Sequence, residues 1–262
     1  MKKATNFALC IVAVLAIALL ISHARLASGT YAGQECAEAV RFIPVVGDIT
    51  AMQDTGTSTL PEADEGSILA QLQAADSDPS VKDIVLLIDS NGGDGETAEE
   101  IAQVMSHVRK PKYALIRSEG TSAAYWIASS ADKIFAFKAS DIGSIGVTGS
   151  YVENASANQQ DGQQFVSLAS GQFKDTGNPD KPLTQADKDY LMKGVMDEYS
   201  LFVSAVAQNR NMPIEKVKAI ADGSSVLGDE AVSDGLVDSV GGWDALWQQI
   251  SKDIGTQCYS VQ

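Results

Sequence analysis

Histidine is almost absent from this sequence of 262 residues. Of its two histidines, His23 lies close to the N-terminus, so His107 is the only one in the rest of the chain. A Ser-His-Asp hydrolase needs an imidazole that reaches the serine oxygen, and His107 lies upstream of the best candidate nucleophile, Ser122. We therefore expect a catalytic serine in this protein to use a different base, for which lysine is the candidate.

Cysteine is also scarce, with Cys10, Cys36 and Cys258 as the three examples. In an exported chain Cys36 and Cys258 are free to form a disulfide, and two unpaired thiols are an equal alternative. Neither cysteine has the spacing of a metal ligand, and two histidines are too few for an ordinary zinc site. We therefore expect neither a metal site nor a cofactor.

Basic residues are outnumbered, since 19 Lys and Arg stand against 34 Asp and Glu for a net charge of -15. Such a surface repels the phosphate backbone of nucleic acids, so we expect no nucleic-acid partner. The acidity otherwise indicates solubility rather than a particular substrate.

The N-terminus has the pattern of an export leader. Lys2 and Lys3 precede fifteen uninterrupted apolar residues, Phe7 to Ile21, and the positive-inside rule sends the following chain across the membrane. As a helix this run covers about 22 Å, which is shorter than the ~30 Å hydrocarbon core. Ser22-His23-Ala24 fits a cleavage site, so both a retained anchor and a cleaved signal stay open.

This leader divides the chain into three parts. We predict a signal anchor or signal peptide over residues 1–24, a linker over 25–40, and one folded domain over 41–262. The protein is then expected at the cell membrane, with a single span and its domain on the extracytoplasmic side, or secreted if the leader is cleaved.

The domain alternates strands and helices, which predicts an α/β fold with a mostly parallel sheet. The apolar run Ile84–Ile88 is typical of a buried strand. The other predicted strands are Phe42–Val46, Tyr113–Arg117 and Lys133–Phe137, and the first helices are Gly66–Ala75, Thr97–Val108 and Thr121–Ser130.

The second half of the domain is predicted to be mainly helical. Residues 153–164 are polar and indicate an exposed excursion. Thr184 caps a helix of roughly 25 residues, Pro213 and Gly223 bound the next helix, and Trp243–Ile254 forms the last one, which ends at Gly255.

Two short segments are candidates for catalysis. Gly92-Gly93 follows a buried strand, where main-chain N–H groups can form an oxyanion hole, although a Gly-Gly pair taken alone favours a tight turn that needs positive φ. Ser122 opens a helix, where the positive end of the helix dipole favours an oxyanion. The alternative for Ser122 is an ordinary helix cap.

Lys174 is the candidate base. A lysine acts as a general base only if burial lowers its pKa from about 10.4 toward neutrality. Sequence spacing alone also fits a solvated surface lysine, and Lys133 and Lys138 are competitors for the same role.

Several motifs occur in an order that resembles the S49 family of serine peptidases, which includes signal peptide peptidase A. The family is related in fold to Clp protease and crotonase-like enzymes. The similarity covers roughly residues 42–242 and is carried by Asp89–Gly93, Thr121–Ala128, Ala131–Ile134, Gly143–Val147, Gly171–Asp175 and Gly235–Asp238.

This resemblance implies a Ser-Lys dyad. Ser122 would be the nucleophile, Lys174 the general base and Ser144 the hydroxyl that orients the lysine amine. The N–H of Gly92 or Gly93, together with that of Ala123, would form the oxyanion hole. The resemblance also implies a homo-oligomeric ring in which the serine and lysine of one site come from neighbouring subunits.

The expected substrates are extended apolar peptides such as cleaved signal peptides. The family usually has Pro where this chain has Asn91, and Gly-Gly in place of Ala123-Ala124, which puts the substrate range in doubt more than the mechanism. Two alternatives remain, a crotonase-like acyl-CoA enzyme and a non-catalytic membrane scaffold of the same fold. A phosphate-repelling charge disfavours the first, and retention of Ser122, Lys174 and Ser144 disfavours the second.

Overall fold

A computed structural model of the protein describes residues 39–51, 62–255 and 258. The predicted leader and nearly all of the predicted linker lie outside these residues, as does Cys36. Among the described residues no helix has the length and apolar character needed to cross a membrane. Cys258 is disulfide-bonded, and its partner lies outside the described residues.

A seven-stranded, mostly parallel sheet forms the centre of the domain. Its strands, with two more in a small separate sheet, are β1 (Val40–Val46), β2 (Asp48–Thr50), β3 (Glu62–Asp64), β4 (Asp83–Ser90), β5 (Lys112–Thr121), β6 (Lys133–Ala136), β7 (Asp141–Gly143), β8 (Ser225–Leu227) and β9 (Ser239–Val240). The main order is β1-β4-β5-β6-β9. β7 continues beside the end of β5 and pairs antiparallel with β8, while β2 and β3 pair with each other.

Helices cover both faces of the sheet. They are α1 (Glu65–Ser77), α2 (Gly95–His107), α3 (Ala123–Ser129), α4 (Ala155–Gln160), α5 (Gln185–Asn209), α6 (Ile214–Lys218), α7 (Gly228–Asp234) and α8 (Gly242–Ile254). The larger core packs α1, α2, α3 and α5 against one face. Leu246 and Ile250 of α8 cover the other face with Val85, Leu115 and Phe135.

Local sequence signals explain where the longer helices begin and end. Asp94 caps α2 by accepting the Thr97 N–H at 2.9 Å. Thr184 and Asp187 form a capping box at the start of α5, which satisfies N–H groups that have no partner inside the helix. Gly255 ends α8 in the left-handed conformation, where a residue without a Cβ is favoured.

The predicted α/β fold with a mostly parallel sheet is confirmed, with three local differences. β5 runs to Thr121 instead of ending at Arg117, so Ser122 follows the strand directly. The helix expected between Pro213 and Gly223 ends at Lys218, because the chain turns at Asp222, whose carboxylate accepts the Ser224 N–H. The exposed excursion contains the short helix α4.

The topology brings the candidate residues to one edge of the sheet. Gly92 and Gly93 follow β4, Ser122 follows β5, and Ser144 follows β7, which lies in register with the end of β5. Because these strands are parallel, their carboxyl ends meet, which is where open α/β sheets place ligands.

Candidate active site

Ser122 connects β5 to α3 in a strained backbone conformation, with φ 54° and ψ -129°. A residue with a Cβ reaches this region at a cost of about 1–3 kcal/mol, and such strain concentrates at functional sites. The surroundings hold it, since its N–H donates to the Gly143 carbonyl at 2.8 Å and its carbonyl accepts the Trp126 N–H at 3.1 Å.

The Ser122 hydroxyl does not cap α3, because no side-chain hydrogen bond joins it to the helix N–H groups. The interpretation of Ser122 as a simple cap is therefore wrong. The residue is only half-buried, and a hydroxyl held at the mouth of a pocket in a strained turn is placed to attack a substrate.

The Gly92-Gly93 turn lies directly against this serine. A Cβ built on Gly92 would lie 2.8 Å from Ser122 Cβ and 3.0 Å from the Ala123 nitrogen. Both glycines have positive φ, 113° and 148°, so the pair is a tight turn as well as a neighbour of the nucleophile. Glycine is required at both positions, because a side chain on Gly92 would fill the space beside Ser122 and one on Gly93 would overlap the Ile49 carbonyl, 2.2 Å away.

The two glycine N–H groups differ in availability. The Gly92 N–H donates to Ser90 Oγ at 3.1 Å, so it is already engaged. Within the described part of the chain, no acceptor takes the N–H of Gly93 or of Ala123. These two N–H groups are therefore the better candidates for an oxyanion hole. Ser90, which the sequence interpretation missed, ends β4 inside the Asp89–Gly93 motif.

A pocket of about 140 Å³ opens beside Ser122. Its wall includes Trp126 and Phe202, whose rings stack with centroids 4.9 Å apart. Val147 adds a further apolar surface, and Glu198 contributes a carboxylate. Sequence analysis did not identify Glu198 or Phe202, because both lie on α5, some 75 residues or more after Ser122.

Ser144 follows β7, whose last residue, Gly143, pairs with Thr121, the residue before Ser122. Ser144 has a backbone φ of 48°, and its hydroxyl donates to the Gly223 carbonyl at 2.9 Å. The hydroxyl oxygen keeps lone pairs that can accept a hydrogen bond from an amine. Within the described residues no lysine hydrogen-bonds to it.

Lys174 is not brought to Ser122 within the single chain. Its side chain is exposed, it does not line the Ser122 pocket, and none of the hydrogen bonds or ion pairs of the described residues joins the two side chains. The pairing of Ser122 with Lys174 therefore stays a prediction.

The residues around Lys174 are nevertheless well anchored. Phe173 stacks on Tyr190 of α5, with ring centroids 4.7 Å apart. Asp175 forms an ion pair with Lys181 at 2.8 Å, and the Thr176 hydroxyl donates to Asp187 at 2.8 Å. Lys174 is thus an exposed side chain presented by a segment with a defined position.

The competing bases are placed elsewhere. Lys133 pairs with Tyr113 at the start of β5. Ser122 follows Tyr113 by nine residues along this strand, a separation of about 30 Å. His107 is the last residue of α2, and its ring contacts the Gln103 carbonyl at 2.8 Å. Lys138 pairs with Asp229 at 3.5 Å.

Two carboxyl groups near Lys174 have lowered pKa values because neighbouring side chains donate hydrogen bonds to them. The hydroxyls of Thr184 and Thr176 donate to Asp187 and hold the pKa of that carboxyl low, at about 2. Asp175 also has a lowered pKa, because Lys181 and Ser167 donate to it. The segment that carries Lys174 is therefore tied to α5 through the Asp187 carboxylate, and Asp175 ties it to Lys181 and Ser167.

A strained serine between a strand and a helix, two available main-chain N–H groups and an adjoining apolar pocket are the features that an α/β serine hydrolase uses. Among the described residues no cluster of side chains is suited to a metal ion. Chemically, the Ser122 hydroxyl and the neighbouring N–H groups are suited to forming an acyl-serine with main-chain stabilisation of the oxyanion.

Comparisons with known proteins specify the family. The profile of peptidase family S49 matches residues 105–257, more than half of the chain, and the Clp protease profile matches residues 57–147. The chain belongs to peptidase family S49.

Individual relatives agree with this assignment. A protein of Methanocaldococcus jannaschii named "Putative protease" is 35% identical over 65% of this chain and 55% of its own length. The "Putative signal peptide peptidase SppA" of Enterococcus faecium is 34% identical over 72% of this chain and 56% of its own length. "Protease 4" of Haemophilus influenzae is 29% identical over 82% of this chain and 37% of its own length. The chain thus spans about half, or less, of the length of these relatives.

Proposed function

We propose that the protein is a membrane-associated serine endopeptidase with a Ser122–Lys174 dyad. The observation that carries the proposal is the strained Ser122, whose hydroxyl does not cap the helix and which lines one pocket with Gly93 and Ala123. Membership of a peptidase family supports the reaction type.

The chemistry proceeds in two steps. Ser122 Oγ attacks the peptide carbonyl while its proton passes to the neutral Lys174 amine, and the N–H groups of Gly93 and Ala123 stabilise the oxyanion. The C–N bond then breaks, the ammonium returns a proton to the leaving amine, and water hydrolyses the acyl-serine with the same lysine as base. Ser144 orients the lysine amine.

The lysine of each site is supplied by a neighbouring copy of the chain. Lys174 is exposed on an anchored segment and far from engaging the serine of its own chain, which suits a residue that completes another site. Assembly is supported by exposed apolar side chains on the same part of the chain, among them Val152, Leu168 and Met192, which are 76%, 97% and 57% exposed. Patches of this kind mark interaction surfaces.

Extended apolar peptides, such as cleaved signal peptides, are the proposed substrates. The pocket walls formed by Trp126, Phe202 and Val147 suit the hydrocarbon part of a substrate side chain. The small side chains of Ala123 and Ala124 let a peptide main chain pass close to Ser122. The N-terminal leader would hold the domain on the extracytoplasmic side of the cell membrane, or release it there if cleaved.

A fluorophosphonate probe tests the reaction type. We expect it to label the assembled full-length chain at Ser122, and both Ser122→Ala and Lys174→Ala to lose at least 10²-fold in kcat/KM on apolar peptides. His107→Ala is the control and should keep nearly full activity. Turnover should rise on the alkaline side, above the range in which a free histidine titrates, because a lysine base acts only when neutral.

Three results would contradict the proposal. Absence of labelling in an assembled sample would favour a non-catalytic scaffold. Turnover of an acyl-CoA without labelling would favour a crotonase-like enzyme. Near-normal activity of Lys174→Ala would remove that lysine from the dyad.

A further inference from the structure

Glu198 is the one ionisable residue among those that line the Ser122 pocket in the described structure. It lies on α5 one helical turn before Phe202, which forms the apolar wall, so both side chains project from the same face of the helix. The nucleophile, the apolar wall and a carboxylate therefore share one cavity.

Glu198 is an exposed residue at the rim of the pocket, and its carboxylate lies against Gly95. A Cβ built on Gly95 would lie 2.2 Å from Glu198 Oε1, so the glycine leaves the space that this oxygen occupies. Gly95 is the first residue of α2, so the Glu198 carboxylate lies at the N-terminal end of this helix.

No basic residue neutralises this carboxylate in the described part of the chain. None of its ion pairs or side-chain hydrogen bonds involves Glu198, whereas the adjacent Asp197 pairs with Lys193. An unpaired negative charge beside apolar walls is suited to a side chain with an aliphatic stem and a cationic end, because lysine and arginine bury their stems and keep the charge at a polar group.

We propose that Glu198 is a specificity residue that selects a lysine or arginine side chain in the substrate residue whose carbonyl Ser122 attacks. The pocket includes Gly93 and Ala123, the proposed oxyanion donors, so the side chain next to the bound carbonyl is the one that reaches it. The pocket volume is about 140 Å³, whereas one water molecule needs roughly 10–15 Å³. The pocket can therefore hold a group larger than a water molecule.

This inference rests on the proposed peptidase function and refines its substrate. Apolar residues would still be preferred at the other positions of the peptide, and the basic residue would be needed at one position. Export leaders combine these two features, since they contain basic residues followed by an apolar run.

The test compares peptides that differ only at the residue before the cut, with Lys, Leu or Glu at that position. In the wild-type assembly we expect kcat/KM to follow Lys over Leu over Glu. Glu198→Gln should lower the Lys-to-Glu ratio about tenfold and change the Leu peptide little, and Glu198→Lys should invert the ratio. Asp197→Asn, which removes the neighbouring charge outside the pocket, is the matched control and should leave all ratios unchanged.

A binding measurement separates this inference from the proposed reaction. Ser122→Ala should bind the Lys peptide more tightly than the Glu peptide, and Ser122→Ala with Glu198→Gln should lose that difference. Loss of the difference would support the role of Glu198 even if no peptide is cleaved. Equal ratios in the wild type and in Glu198→Gln, or the same change in Asp197→Asn, would overturn it, whereas missing fluorophosphonate labelling with an intact binding difference would overturn only the peptidase function.

Discussion

At the scale of single residues, the site depends on one serine whose backbone is strained and on one glycine that lies against it. Ser122 keeps its conformation because the Gly143 carbonyl and the start of α3 hold its main chain. Its hydroxyl is free for attack because the strain turns it away from the helix it would otherwise cap. The conformation of Ser122 therefore depends both on the glycine at position 92 and on main-chain hydrogen bonds to other parts of the chain.

Gly92→Ala should damage this arrangement selectively. The added methyl would lie 2.8 Å from Ser122 Cβ and 3.1 Å from its Oγ, at a φ of 113°, so either the turn or the nucleophile has to move. We expect a loss of 10²-fold or more in kcat/KM and a destabilisation of about 1–3 kcal/mol. Steady-state kinetics and denaturant unfolding measure the two effects.

Gly66→Ala is the control for this substitution. Its Cβ would meet only an Asp64 oxygen at 3.8 Å, in ordinary contact and far along the chain from the site. It should keep full activity. Equal losses in the two variants would show that the Gly92 effect is a general one.

At the scale of secondary-structure elements, α5 organises both sides of the proposed chemistry. Its middle supplies Glu198 and Phe202 to the Ser122 pocket. Its beginning anchors the segment that carries Lys174, through Tyr190 and Asp187. A change at the start of α5 is therefore expected to act on the base without touching the nucleophile.

Thr176→Val tests this anchoring. It removes the hydrogen bond from Thr176 to Asp187 and leaves the Thr184–Asp187 capping box in place. We expect kcat to fall several-fold, since a base displaced by about 1 Å loses much of its effect, with a small change in Tm. Gln185→Ala removes a neighbouring side-chain hydrogen bond to Asp189 and should not change kcat. A Thr176→Val enzyme with wild-type kcat would show that this anchor does not position the base.

The amino-terminal edge of the sheet contains a buried carboxylate with a separate effect on stability. Asp83 begins β4, is 1% exposed, and its Oδ2 has no hydrogen-bond partner in the described structure. Burial, together with the charge of Asp253, raises the pKa of Asp83 to about 6. The folded state therefore binds this proton more tightly than the unfolded chain does.

This shift predicts a pH-dependent stability. The pKa of Asp83 in the unfolded chain is 3.8. Its contribution to the free energy of unfolding therefore falls as pH rises from about 4 through 6 and then levels off. Asp83→Asn should remove this loss of stability. We expect the variant to be more stable than the wild type by about 1–3 kcal/mol at pH 8 and by less at pH 5. Urea unfolding at both pH values measures this, with the exposed Asp161→Asn as control. A variant that is less stable at pH 8 would contradict the assignment.

At the scale of the whole molecule, the described part of the single chain does not bring the proposed nucleophile, Ser122, and the proposed base, Lys174, together. Complementation tests whether a second copy joins them. When Ser122→Ala and Lys174→Ala chains are co-assembled in equal amounts, about one quarter of the sites would combine an intact serine with a neighbour's intact lysine.

Activity in this mixture should therefore rise from near zero toward about one quarter of the wild-type value. Ser122→Ala mixed with itself is the control and should stay inactive. A mixed assembly that forms, as judged by its mass, and shows no activity would indicate that each chain completes its own site.

Much of the fold follows from local patterns. The apolar run of β4, the capping residues of α5 and the closing glycine of α8 each act within a few residues, so the sequence predicts these elements to within a few positions. Ser122, Gly92 and Gly93 were also found this way, because a strand end followed by small residues has a recognisable chemistry.

The rest depended on contacts between distant parts of the chain. By itself the sequence determined the α/β architecture and singled out Ser122 as the candidate nucleophile, since periodicity and turn residues are local properties. Only the tertiary structure decided that Ser90 engages the Gly92 N–H, that Glu198 and Phe202 reach the Ser122 pocket from α5, and that Lys174 faces solvent. These outcomes depend on how the helices pack on the sheet, which brings together residues whose separation along the chain leaves no local pattern.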